Sequence, residues 1–339
     1  MLKAIGWCAK AGVSAVVSLA LLSLFTLVYS HTGVHIMNKT GATDYKWEPN
    51  QYRATMSEGY SWMRMNTDGF NNSFAMSDTD HIDILLMGSS HMEAVNVSSA
   101  ANVGYLLNNE VMPELVTYNI GISGHTIYQC VNNMSDAVEF YDPSSYVVIE
   151  TDRVSLDEGK MEEVIDGNLP IIASHDSGLI YKIQKYVPCF LPLYRELGNW
   201  MVAGENATQT EPQEAEGMNQ NLSQNYAVLL NRFFEQIVDA VGGRKVIIVY
   251  HPETALDDDG VLIPENTEYV GVFQEACVGH GIKFIDMYED FYREYEENHN
   301  MAHGFINTEV GVGHLNEIGH KLVAERLGAL IKELENGTE

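Results

Sequence analysis

The chain has 339 residues, of which 45% are hydrophobic and 19% charged. That is enough apolar material to bury a real core and too much for a disordered or fibrous protein. The formal charge of −28 at pH 7 argues against nucleic acid as a partner, because such a surface has nothing with which to neutralise phosphates.

Residues 1–30 contain Lys3 and Lys10 and no acid, and residues 11–29 run without a charge. As a helix this stretch crosses the roughly 30 Å hydrocarbon core of a bilayer. Lysines on its leading side alone place the N-terminus in the cytoplasm and everything from His31 onward outside. The expectation is a single-pass anchor in the cytoplasmic membrane with an extracytoplasmic body. A cleaved signal peptide, with Val28 and Ser30 at the cleavage site, is the competing reading, although the apolar run exceeds the roughly 7 to 15 residues usual for one.

Residues 31–80 are mixed, aromatic and turn-rich, which predicts a lead-in segment packed on the main domain and not a free linker. From residue 81 to about 335 the pattern becomes regular. Apolar runs predict strands at 82–87, 115–120, 146–150, 245–250 and 282–286. Helical periodicity predicts helices from the first strand through Asn109, and at 126–140, 225–241, 268–280 and 317–334, the last capped by Asn316. Strands alternating with amphipathic helices imply right-handed crossovers and hence a three-layer α/β/α sandwich with a five-stranded parallel sheet, flavodoxin-like in plan. The interval 151–223 is too long for a simple crossover. It contains an apolar piece at 179–200 and then an acidic, amide-rich tract, and reads as an insertion.

In such a sheet the site lies at the carboxyl ends of the strands. The first predicted strand ends in GSSH at 88–91, where Gly88 lets the backbone turn and Ser90 is displayed as a candidate nucleophile, or else as the N-cap of the next helix. His314, two residues before the Asn316 cap, falls at the same edge and is the candidate base. Further polar residues at the strand ends are His91, Asn119, His125, Thr151, Asp152, Arg153 and His251.

The four cysteines are widely spaced and have no metal-ligand pattern, so they read as small buried hydrophobes. His299 and His303 are four apart and match one helix face, but HNMAH lacks the glutamate of a zinc-protease helix, and no metal is expected there.

The motifs together resemble those of the SGNH/GDSL hydrolase superfamily. GSS at 88–90 is similar to its nucleophile block, with Ser90 as nucleophile. NIGISG at 119–124 is similar to the block whose glycine N–H joins the oxyanion hole, here Gly124 beside the N–H of Ser90. GHLNEIGH at 313–320 is similar to the last block, which makes His314 the base, with Leu315 in the place of a proline. NTDGFNN at 66–72 resembles a segment found upstream in exported members.

Two departures stand out. The third strand ends in IETDR with no asparagine to act as an oxyanion donor, leaving Thr151 or Arg153 as substitutes. The aspartate expected three residues before the base is Gly311, so His314 is left to be oriented by a backbone carbonyl, by Glu309 or by an acid from another loop. The anchor and the GSS variant are similar to DltD-type and alginate-acetylation-type members. That resemblance implies a cofactor-free serine esterase or O-acyltransferase acting on cell-surface glycan or another acylated envelope polymer, alongside a polytopic membrane acyltransferase. The alternative it leaves open is an inactive relative that binds glycan or scaffolds an acylation complex.

Overall fold

Five apolar segments form the central sheet because nearly all of their residues are covered on both faces. They are β1 (Ile84–Met87), β2 (Thr117–Asn119), β3 (Tyr146–Thr151), β4 (Lys245–Tyr250) and β5 (Lys283–Asp286). In the computed structural model, which describes residues 2–29, 35–38, 43–55, 58–170, 224–309 and 311–337, these strands are all parallel and lie in the order β5-β4-β3-β1-β2.

Successive side chains on a strand point to opposite faces, and the two cores follow that alternation. Leu85, Met87, Val147, Ile149, Val246 and Ile248 face a core shared with helices Ile127–Asn132, Met134–Tyr141, Gln224–Ala240 and Val270–Gly279. Ile84, Leu86, Val148, Ile247, Val249 and Ile285 face the other core, shared with helices Tyr288–Asn298 and Glu317–Glu335. This is the predicted three-layer sandwich. The chain reverses direction across the sheet between β1 and β3, and Met87 pairs with Ile149 at that point, so the residues just beyond them meet at the crevice where ligands enter such sheets.

Several local expectations are corrected. The helix expected from the first strand through Asn109 is broken. It begins as Ser90–Glu93, stops at Ala94 in the left-handed conformation (φ 56°), and resumes as Val103–Leu106 with a wide turn over Leu107–Val111. Asn71 and Asn102 explain the breaks: the Asn71 amide donates to the carbonyls of Glu93 and Ala94, and Asn102 bonds Ser99 O and the N–H of Tyr105. Such side chains offer the backbone an alternative to a continuous helix. The expected helix at 126–140 divides at Asn133, whose amide reaches Asp44 at 3.2 Å. Helix Tyr288–Asn298 escapes an apolar-periodicity reading because Phe291 is its one buried residue. It ends with His299 in the left-handed conformation (φ 56°), so His299 and His303 do not share a helix face.

The lead-in segment forms two antiparallel hairpins, His35–Met37 with Tyr45–Trp47 and Tyr52–Thr55 with Ser61–Arg64. Trp47, Met63 and Met65 close over Val95, and Phe70 enters the main core. Helix Leu2–Tyr29 contains one segment, Ile5–Leu24, long and apolar enough to cross a membrane, and none of that segment is buried against the rest of the chain. Cys130 and Cys277 are buried free thiols, as their isolation predicts. Cys189, the apolar piece at 179–200 and the acidic tract after it lie outside the described residues.

Candidate active site

At the end of β1 the chain turns at Gly88, where a Cβ would lie 2.4 Å from Glu150 Oε2; only glycine fits beside that carboxylate. Ser89 caps the short helix, its hydroxyl accepting from His91 N at 3.2 Å. The cap role therefore belongs to Ser89 and leaves Ser90 unencumbered. Ser90 Oγ lies 2.7 Å from His314 Nε2.

Across the ring, His314 Nδ1 lies 2.6 Å from Glu58 Oε2, and Glu58 Oε1 accepts the His314 backbone N–H at 2.6 Å. A carboxylate on Nδ1 holds the proton there and turns the lone pair of Nε2 toward the serine hydroxyl. The acid on His314 is Glu58 from the lead-in segment, the last of the alternatives the sequence left open, and not Glu309, which is exposed. Three features hold Glu58 in place. Asn96 donates to its carbonyl at 3.2 Å, Gly59 N–H donates to Asn307 at 2.9 Å, and Gly313 (φ 97°) leaves room where a Cβ would sit 2.3 Å from Glu58 Oε1. The glycine one residue before the base was the available signal for an acid packed there, though it does not say which acid.

Gly124 follows β2 with φ 87°. Among the described residues, neither its N–H nor the first-turn N–H of Ser90 has a protein acceptor. The loop that carries Gly124 is fastened to the short helix that Ser90 begins. Ser123 donates its N–H to Glu93 at 3.2 Å and its hydroxyl to the same carboxylate, and Gly121 passes so close that a Cβ would sit 2.6 Å from Glu93 N. Trp47 Nε1 donates to the other oxygen of Glu93, and Arg53 lies over the Trp47 ring. Burial pushes the Glu93 carboxyl up, against the opposing pull of Arg53 and these hydrogen bonds.

The remaining predicted residues divide into two groups. His91 stands between the rings of His251 and His314, with centroids 4.5 and 4.9 Å away. His251 is wholly buried and bonds Glu150 at 2.7 Å. Asn119 is a brace, donating to Met92 O at 2.6 Å and accepting from Gly121 N at 2.8 Å. No described hydrogen bond links the others to Ser90 or His314. The Thr151 hydroxyl donates to Arg153 O and accepts Arg153 N, closing its own turn. The Arg153 side chain is 77% exposed and lies 4.0 Å from Asp152. His125 is buried against Tyr45 near Asp44, and burial lowers its pKa to about 4.

His91, His251 and His303 bring ring nitrogens within 4.8 Å of one another, close enough to suggest a metal ion. The hydrogen bond made by His91 does not fit one. His91 Nδ1 already accepts the Leu315 N–H at 3.1 Å, which places the ring proton on Nε2 and leaves no free lone pair. The cluster extends to His320. Burial, reinforced by neighbouring histidines, lowers His91 well below its usual value and takes His303 and His320 to about 3, so these rings are neutral near pH 7.

No known family pattern and no curated protein matches the sequence. Solved structures are similar to it at low identity. A two-domain esterase active on acetylated mannans is similar at 12% identity and TM-score 0.42, over 76% of this chain and 50% of that one. An acetyl xylan esterase is similar at 15% identity and TM-score 0.41, over 74% and 100%. A member of the lipolytic G-D-S-L family from Veillonella parvula is similar at 15% identity and TM-score 0.36, over 74% and 96%.

Proposed function

We propose that the chain is a serine esterase or O-acyltransferase of the SGNH/GDSL type, held at the outer face of the cytoplasmic membrane by its N-terminal helix and acting on acylated cell-envelope polysaccharide. The observation that carries the reading is the unbroken chain Ser90–His314–Glu58, with contacts of 2.7 and 2.6 Å.

In this mechanism Ser90 Oγ attacks an acyl carbonyl carbon and gives its proton to His314 Nε2. Glu58 stabilises the imidazolium that forms. The N–H groups of Ser90 and Gly124 hold the oxyanion. His314 then returns the proton to the departing sugar oxygen, leaving an acyl-Ser90 ester. Water or an acceptor hydroxyl, deprotonated by the same histidine, attacks that ester and frees Ser90. Support for transfer comes from the absent asparagine donor, since a thinner oxyanion hole suits an activated acyl donor delivered at the membrane. An inactive scaffold is the weaker reading, because the acid whose absence favoured it is supplied by Glu58.

The test is fluorophosphonate labelling of the purified protein, followed by turnover of an aryl acetate with and without a glycan acceptor. Labelling lost in Ser90→Ala, together with acetylated glycan in the acceptor arm, is the expected outcome. Acetate release indifferent to acceptor, with no acetylated product, would leave a plain esterase. An unlabelled wild-type protein with no turnover would overturn the enzymatic reading.

A further inference from the structure

Each of the two oxyanion donors in the proposed mechanism lies one residue after a serine, and both serines are held in the same way. Glu150 accepts the Ser89 N–H at 2.7 Å and the Ser89 hydroxyl at 3.0 Å. Glu93 accepts the Ser123 N–H at 3.2 Å and the Ser123 hydroxyl. The four residues come from four different places: the end of β1, the end of β3, the loop after β2 and the last residue of helix Ser90–Glu93.

We propose that Glu150 and Glu93 are paired positioning residues that aim the N–H groups of Ser90 and Gly124 at one oxyanion. This inference rests on the serine-nucleophile reading and adds the device that assembles its oxyanion hole. The reason lies in the planar trans peptide, in which an N–H points opposite to the carbonyl before it. Ser89 O accepts from Glu93 N at 2.9 Å, so with its own N–H on Glu150 both ends of Ser89 are tied and the Ser89–Ser90 peptide cannot swing. Ser123 O accepts from the Tyr45 hydroxyl, so with its own N–H on Glu93 the Ser123–Gly124 peptide is tied likewise.

The carboxylates are themselves oriented, Glu150 by His251 at 2.7 Å and Glu93 by Trp47. They are 2% and 1% exposed, so water does not compete for the serine N–H groups they accept. A carboxyl beside an oxyanion adds no favourable charge, so their contribution is geometric.

The experiment compares Glu150→Ala, Glu150→Gln, Glu93→Ala and Glu93→Gln in the full chain. It measures kcat and KM for an aryl acetate and the affinity for an alkyl boronic acid that becomes tetrahedral on Ser90. One misaimed donor forfeits part of the ~10² to 10³ such a donor is worth. Each alanine variant is therefore expected to lose about 10- to 100-fold in kcat and a similar factor in boronate affinity, with KM changed by less than about twofold. The glutamine variants keep one oxygen for the serine N–H and are expected to recover most of the loss. If an alanine variant does not fold, the aspartate variant replaces it with the same expected loss, since its carboxylate is drawn back by one methylene.

A folded variant with kcat within twofold of wild type, or with unchanged boronate affinity, would overturn the proposal. So would a glutamine variant no better than alanine. Wild-type activity that survives Ser90→Ala would sink the serine-nucleophile reading itself. Ser90-dependent activity indifferent to both glutamates would sink this inference alone.

Discussion

Ser90 and His314 stand on the parallel sheet and at the start of its last helix, whereas Glu58 stands in the turn of a short antiparallel hairpin that precedes the sheet in the chain. The two supports are built differently. β1 is buried at every residue, and helix Glu317–Glu335 packs into the same core, so Ser90 and His314 are placed by elements held in close packing. The hairpin strand Ser61–Arg64 alternates buried and exposed residues, and its segment docks on the main domain through polar contacts as well as the apolar ones of Trp47, Met63, Met65 and Phe70. Asn66 donates to Tyr118 at 2.9 Å, Tyr118 donates to Asp68 at 2.6 Å, and Asn72 pairs with both backbone groups of Asn119. Divided in this way, the contact of Glu58 with His314 is conditional on docking, while that of His314 with Ser90 is conditional only on folding.

The sharpest way to break that division is at the acid. Glu58→Gln leaves the fold intact and removes the group that fixes the His314 tautomer, so kcat is expected to fall by about 10² to 10⁴. Glu309→Ala should stay within about twofold of wild type. Steady-state kinetics on an aryl acetate decide the matter, and equal losses in the two variants would show that the acid has been misassigned.

Next comes the docking itself. Trp47→Ala empties a buried site and strips one partner from the buried Glu93, which is expected to cost about 3 to 5 kcal/mol. The urea midpoint should drop, and activity should fall before the sheet unfolds, as followed by far-UV circular dichroism. Simultaneous loss of both signals would mean that the lead-in and the sheet are one cooperative unit.

A smaller effect is expected from pH. His91, His125, His303 and His320 all have lowered folded-state values, so below about pH 6.5 the unfolded chain takes up protons that the folded chain refuses. Stability must then fall as pH drops from about 6.5 toward 4, and Glu93, whose value is raised, works in the opposite direction. Urea melts at pH 7 and pH 5 test this, and a midpoint no lower at pH 5 would contradict the neutral-cluster assignment. Of the changes at the two serines the milder is Ser89→Ala, which removes hydroxyl bonds but keeps the N–H on Glu150; a loss of less than tenfold in kcat is expected. If Ser89 proved indispensable and Ser90 did not, the nucleophile would be one residue earlier.

The legible parts of the molecule are those with a local signature. An unbroken apolar run bounded by glycine reads as a strand covered on both faces, and an asparagine before an amphipathic stretch reads as a cap. Asn316 does accept from Ile318 N and Gly319 N, at 2.9 and 3.1 Å. The illegible parts are those where a side chain from elsewhere overrules local preference. Asn71 ends a helix whose own residues would have continued it.

By itself, then, the order of residues determined the parallel sheet, the edge at which Ser90 and His314 emerge, and the apolar N-terminal helix, because each follows from the period and length of a hydrophobic pattern. Only the tertiary structure decided that Glu58 would meet His314 Nδ1, that Glu93 and Glu150 would hold Ser123 and Ser89, and that His91 would turn its Nδ1 lone pair to the Leu315 N–H. Glu58 and His314 are 256 residues apart in the chain, and a contact over such a distance leaves no periodicity on either side to read. It exists because the packing of two hairpins against a sheet closes that gap to 2.6 Å.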